Sequence, residues 1–132
     1  MKNQTILIVD DNPIYDKETT RVLLGAGFDT LHSSTCDQAI KVTRKQDCKI
    51  NLILLDINLC NGINETQAVQ KILNENDIPL MFIISDFDNE IIVNSNHISS
   101  FGYVNRNSSE AILLASIKTV LKLHSEIAQN KL

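Results

Sequence analysis

Three short apolar runs punctuate the chain: Ile6 to Val9 (ILIV), Leu52 to Leu55 (LILL) and Leu80 to Ile84 (LMFII), each bounded by polar or turn-forming residues. Uninterrupted apolar runs of this length are the signature of strands buried on both faces. Weaker runs at Thr30 and Leu31 and at Tyr103 and Val104 predict two further strands.

Between these runs the apolar residues take helical spacing. Pro13 suits a first helical turn, and Val22, Leu23 and Ala26 form a stripe that Gly27 ends. Thr35 followed by Gln38 reads as a capping box opening a second helix through Ala39, Ile40 and Val42. Thr66 to Leu73, with Ala68, Val69, Ile72 and Leu73, predicts a third, ending before Pro79. A short, mobile helix is expected between Asn89 and Asn96, where NSNHISS is rich in turn formers. Asn107 with Glu110 is read as the cap of a long last helix carrying Ile112, Leu113, Leu114, Ile117, Val120 and Leu121. Past Leu121 that helix continues through Leu123, Ile127 and Leu132, as a linker into a following domain would, although a surface helix fraying at its end is the simpler reading. Strands alternating with helices imply parallel pairing with right-handed crossovers, hence a doubly wound α/β sandwich.

Length and composition narrow the rest. A chain of 132 residues suits one domain, and 43% hydrophobic with 21% charged residues is a globular balance. The apolar runs are too short to cross a bilayer, and MKNQT enters the first run without a secretory signal region, so cytoplasmic residence without membrane contact is expected. Cys36, Cys48 and Cys60 are odd in number and have no zinc-ligand spacing to one another or to His32, His97 or His124. A net charge of -4 and the lack of a basic stripe with interleaved aromatics argue against nucleic-acid binding by this chain alone.

The acidic residues carry the chemistry. Asp10 and Asp11 end the first strand and Asp56 ends the third. In a doubly wound sheet ligands bind beyond the carboxyl ends of the strands, where the winding reverses. If the two strands are neighbours, the three carboxylates converge and repel unless a cation sits among them. An all-oxygen, carboxylate-rich site suits magnesium. Singly, each acid reads as a helix cap or a solvated turn residue. The spacing alone also leaves a magnesium-dependent phosphatase in play.

ILIVDDN, LILLDINL and GYV before a basic residue, in this order and at these separations, resemble the receiver domain of two-component response regulators. The likeness runs from Ile6 to about Leu123. DINLCNGINETQAVQ, DIPLMFI and EAILLASIK are most similar to receivers joined to sensor histidine kinases. The resemblance implies a single receiver domain over residues 1–132, core about 4–123, with a five-stranded flavodoxin-like sheet in the order 2-1-3-4-5. It implies a phosphoryl group accepted on Asp56 from a histidine kinase or phosphotransfer protein. Magnesium would be held by Asp11, Asp56, Asp10 partly through water, and the backbone carbonyl of Asn58. Such a domain is a signalling phosphoacceptor, not an enzyme, although its own site assists phosphotransfer and dephosphorylation. A homodimer or a fused output domain is compatible with it.

Two positions depart from the family pattern. Ile84 stands where receivers carry a switch Thr or Ser, and Arg106 where they carry Lys. Ile84 offers no hydrogen bond to a phosphoryl oxygen and reads as a core residue. Ser85 follows it, but successive strand side chains point to opposite faces, so only a bulge or slipped register brings it to the site. Arg106 keeps the charge on a bulkier planar fork, and both a clamp on Asp56 and a solvent-facing pose stay open. Tyr103 takes the position of the switch aromatic, without the hydroxyl that partners its rotation. These departures support an alternative, a pseudo-receiver acting as a phosphorylation-independent interaction domain. The phosphatase reading weakens, because Asn58 stands where a second acid would be needed. No hydroxyl- and glycine-rich loop follows the first strand to support a flavin.

Overall fold

The computed structural model describes residues 3–45, 49–60, 62–85, 88 and 100–130. In chain order the elements are β1 (Thr5–Val9), α1 (Pro13–Gly25), β2 (Asp29–Ser33), α2 (Cys36–Arg44), β3 (Leu52–Asp56), a 3-10 turn (Ile57–Cys60), α3 (Ile63–Glu75), β4 (Leu80–Ile84), β5 (Tyr103–Asn105) and α4 (Glu110–Asn130). The five strands form one sheet ordered β2-β1-β3-β4-β5, with every adjacent pair parallel. This is the flavodoxin-like arrangement the sequence predicts. The helix expected between Asn89 and Asn96 lies outside the described residues.

The period of two along each strand divides the core into two layers. Ile6, Ile8, Leu52, Leu54, Met81, Ile83 and Val104 pack with Val22 and Leu23 of α1 and Leu113, Ile117 and Val120 of α4. Leu7, Val9, Ile53, Leu55, Leu80 and Phe82 pack on the other face with Cys36 and Ala39 of α2 and Ala68, Val69 and Ile72 of α3. Phe82 is fully buried at the centre of the second layer, where truncation to Ala would cost about 3–5 kcal/mol.

The helix ends follow local chemistry. Asn12 caps α1 by accepting from the N–H groups of Ile14 and Tyr15, and Gly27, at φ +93, takes a left-handed turn that lets the chain reverse into β2. Thr35 accepts from the Gln38 N–H as expected of a capping box, but the Gln38 side chain accepts from Ser34 N–H, one residue before the cap. α3 begins three residues before the predicted Thr66, because Gly62 turns the chain at φ +150. Asn107 does not cap α4, contrary to the sequence expectation. Asn105 accepts the N–H of Asn107 on its side chain and that of Ser108 on its carbonyl, so a turn uses these residues and Ser109 caps instead, its hydroxyl accepting from Ile112 N–H. No helix among the described residues is long and apolar enough to cross a membrane.

Candidate functional site

β1 and β3 are neighbours in register Ile8 with Leu54 and Val9 with Leu55. Asp10 and Asp56 come one step further on, at the carboxyl ends of the strands, where the winding reverses. Because Asp10 continues the series Ile6, Ile8 and Asp56 the series Leu52, Leu54, both side chains fall on the face covered by α1 and α4. Asp11, exposed, completes the group: one carboxylate oxygen from each of Asp10, Asp11 and Asp56 lies within 4.8 Å of the others.

Each buried acid is fixed by the chain that follows it. Asp10 Oδ1 accepts the Asn12 N–H at 2.8 Å, and Asp56 Oδ1 accepts the Asn58 N–H at 3.0 Å. These turns leave the second oxygen of each residue for the site. Burial pushes both carboxyls above their ordinary range, the turn N–H groups and Arg106 pull them back, and neighbouring carboxylates push them up again.

Arg106 is turned inward. Its backbone N–H donates to the Ile84 carbonyl at 2.7 Å, which fixes where its side chain starts. Nη1 lies 3.3 Å from Asp10 Oδ2 and Nη2 lies 3.2 Å from Asp56 Oδ2, with the arginine side chain 19% exposed, Asp10 0% and Asp56 5%. Its Cζ sits 4.3 Å from the centre of the Tyr15 ring, a cation–π contact. The two orientations left open by the sequence thus resolve to the clamp. The Nη1 contact is one of charge without hydrogen-bond alignment, for Arg106 Nη1 and Asp10 Oδ2 are both buried without a hydrogen-bond partner.

That orphaned oxygen tests the fit of a metal. Asp10 Oδ2 is a buried acceptor with unused capacity, beside oxygens of Asp11 and Asp56 in an all-carboxylate set. Such a donor set fits a hard divalent cation. Asn58, whose backbone carbonyl the resemblance adds to the ligand set, is exposed in the 3-10 turn two residues after Asp56.

Ile84, on the opposite face from Asp56, is half-buried and packs against the edge of the cluster containing Val9, Leu55 and Phe82. Ser85 does not supply the missing hydroxyl by default: its N–H and its hydroxyl both donate to Asp88 Oδ2, at 2.6 and 3.0 Å. Tyr103 is 39% exposed on β5 and stacks on Phe82 at 5.6 Å.

Two residues of the site were not singled out from the sequence. Tyr15 lies one helical turn before Thr19 and two before Val22 and Leu23, so the buried stripe of α1 was its signal. Buried Asp88 adds a fourth negative charge that bears on Asp56, and the Ser-x-x-Asp turn from Ser85 marks it.

Residues 6–118 match the family model of the response regulator receiver domain. The DNA-binding response regulator MtrA of Mycolicibacterium smegmatis is 27% identical over 123 residues, 93% of this chain and 53% of that protein. The chain therefore spans about half the length of the curated relative it matches. The N-terminal domain of a response regulator/sensory box/GGDEF three-domain protein from Carboxydothermus hydrogenoformans superposes with a TM-score of 0.83 at 22% identity, covering 95% of this chain and 99% of that one. A CheY-like response regulator receiver domain protein from Methanospirillum hungatei gives 0.81 at 21%, covering 95% and 98%. At such identities the structural likeness establishes the fold.

Proposed function

This chain belongs to the response regulator receiver domain family, and from that premise we propose that it accepts a phosphoryl group on Asp56 from a histidine kinase or phosphotransfer protein. The observation that carries the proposal is the convergence of Asp10, Asp11 and Asp56 at the crevice between β1 and β3. Asp11, Asp56, Asp10 and the Asn58 carbonyl are the residues to hold magnesium. When bound, it offsets the negative charge gathered between acceptor and phosphoryl oxygens.

The chain's own residues do the rest. β3 and the Asn58 N–H orient the Asp56 carboxylate, and Arg106 Nη2 presents positive charge 3.2 Å from its second oxygen. Attack forms a bond from a carboxylate oxygen to phosphorus while the bond from phosphorus to the donor nitrogen breaks, leaving the electron pair on the imidazole. Phosphoryl transfer depends chiefly on such positioning and charge compensation. The role is that of a signalling phosphoacceptor, not of an enzyme acting on an external substrate.

A second reading, the pseudo-receiver, is favoured by two features. Arg106 already offsets Asp10 and Asp56, and Ile84 provides no switch hydroxyl. Borohydride reduction after incubation with a phosphodonor and magnesium separates the two. An aspartyl phosphate is reduced to homoserine at position 56 of the mapped peptide, whereas a pseudo-receiver retains aspartate there.

A further inference from the structure

Two buried thiols share one packed cluster near the acidic crevice. Cys36 is the first residue of α2, behind the Thr35 cap, and Cys60 ends the 3-10 turn that follows Asp56. Both belong to the same packed cluster, both are free, and Cys36 Sγ lies 3.5 Å from the carbonyl of Leu59, the residue before Cys60. Cys36 also lines a cleft of about 300 Å³ together with Asp37, Asn58, Leu59 and Glu65, which opens a path for a small oxidant. The site lies outside the carboxylate cluster, and phosphotransfer uses neither sulfur.

We propose that Cys36 and Cys60 form a reversible intrachain disulfide when the protein meets a peroxide. A thiolate at Cys36, placed at a helix N-terminus that favours the anion, attacks one peroxide oxygen. The O–O bond breaks, hydroxide leaves as water after taking a proton, and a sulfenic acid remains on Cys36. The Cys60 thiol then displaces that hydroxyl as a second water and closes the S–S bond. Two thiols and one hydrogen peroxide become one disulfide and two waters.

The bond reaches the phosphoacceptor through the turn. To bond, the two sulfurs must close to about 2.05 Å, and the turn Ile57–Cys60, which ends in Cys60, moves with them. That turn carries Asn58, whose N–H orients Asp56. Misplacement on the scale of an ångström slows a reaction that depends on alignment, so the oxidised form accepts a phosphoryl group several-fold more slowly. This consequence rests on the phosphoacceptor reading above; the disulfide does not.

The test uses the folded chain carrying Cys48→Ser, in which Cys36 and Cys60 are the remaining thiols. After hydrogen peroxide, intact mass should fall by two hydrogens, a Cys36–Cys60 linked peptide should appear, and dithiothreitol should restore both thiols. Further substitution of Cys60→Ser should abolish the linked peptide. Oxygen adducts without the link, a disulfide between chains, or two thiols that stay free overturn the proposal. Acetyl phosphate labelling of the reduced and oxidised forms then reads the coupling: equal rates overturn it. If neither form is labelled while the linked peptide is present, the phosphoacceptor reading falls and the disulfide stands.

Discussion

The guanidinium carbon of Arg106 lies 4.3 Å from the centre of the Tyr15 ring. From that platform its two terminal nitrogens point to Asp10 and Asp56, so an aromatic in the first turn of α1 and an arginine after β5 are held together across the site. A planar guanidinium stacks and forks at once, which a lysine ammonium does not. Tyr15→Leu should lower stability by about 0.5 to 2 kcal/mol by removing the cation–π contact, and Tyr15→Phe by much less. Urea unfolding of the three proteins measures both differences.

Arg106→Ala leaves two buried carboxylates without their counter-charge. In EDTA it should lose about 1 to 3 kcal/mol. The rise in melting temperature given by millimolar magnesium should be larger than in the wild type, because the metal then meets uncompensated charge. Thermal melts with and without magnesium check this, and Asp11→Ala should lose most of the magnesium effect in either background.

Much of this arrangement is legible in the chain because strand periodicity and acid position coincide. ILIV and LILL each end in aspartate at the same register, so the crevice follows once the two strands are neighbours. The orientation of Arg106 is not legible in the same way, since it depends on the Tyr15 ring and on a backbone bond to Ile84, residues far apart in sequence. The cap of α4 was misread at Asn107 for a local reason. Ser109, two residues on, is as good a capping residue as Asn107, and propensity does not say which side chain wins. Asp88 escaped notice because a single acid after a strand resembles any solvated turn residue.

The raised carboxyls of Asp10 and Asp56 make one contribution to the pH dependence of the metal-free protein. A carboxyl that holds its proton more tightly folded than unfolded makes the folded state bind more protons, so stability falls as pH rises from the ordinary aspartate value through the raised ones. Their contribution is therefore least favourable at neutral pH in EDTA. Asp56→Asn should be more stable than the wild type there, and the difference should shrink toward pH 4. Denaturant titrations at several pH values read the trend.

Ile84→Thr exchanges part of an apolar contact with the cluster of Val9, Leu55 and Phe82 for a hydroxyl. The β-branch preserves the strand preference, and the lost volume should cost about 1 to 2 kcal/mol. Because position 84 faces away from Asp56, the new hydroxyl should leave the change in the Tyr103 ring signals on adding beryllofluoride and magnesium as it is in the wild type, read by NMR. A larger change in the variant would show that β4 shifts to bring position 84 to the site.

The central claim is that Asp56 is the covalent acceptor in a site built by Asp10, Asp11 and Arg106. Incubation with acetyl phosphate and magnesium, followed by intact mass, should add one phosphoryl group to the wild type, none to Asp56→Asn and little when EDTA is present. Arg106→Lys should still be labelled, since charge at that position matters more than shape in a loose transfer. A wild type left unmodified by both the small donor and a phosphorylated histidine kinase, or an Asp56→Asn protein labelled as fully as the wild type, would contradict it.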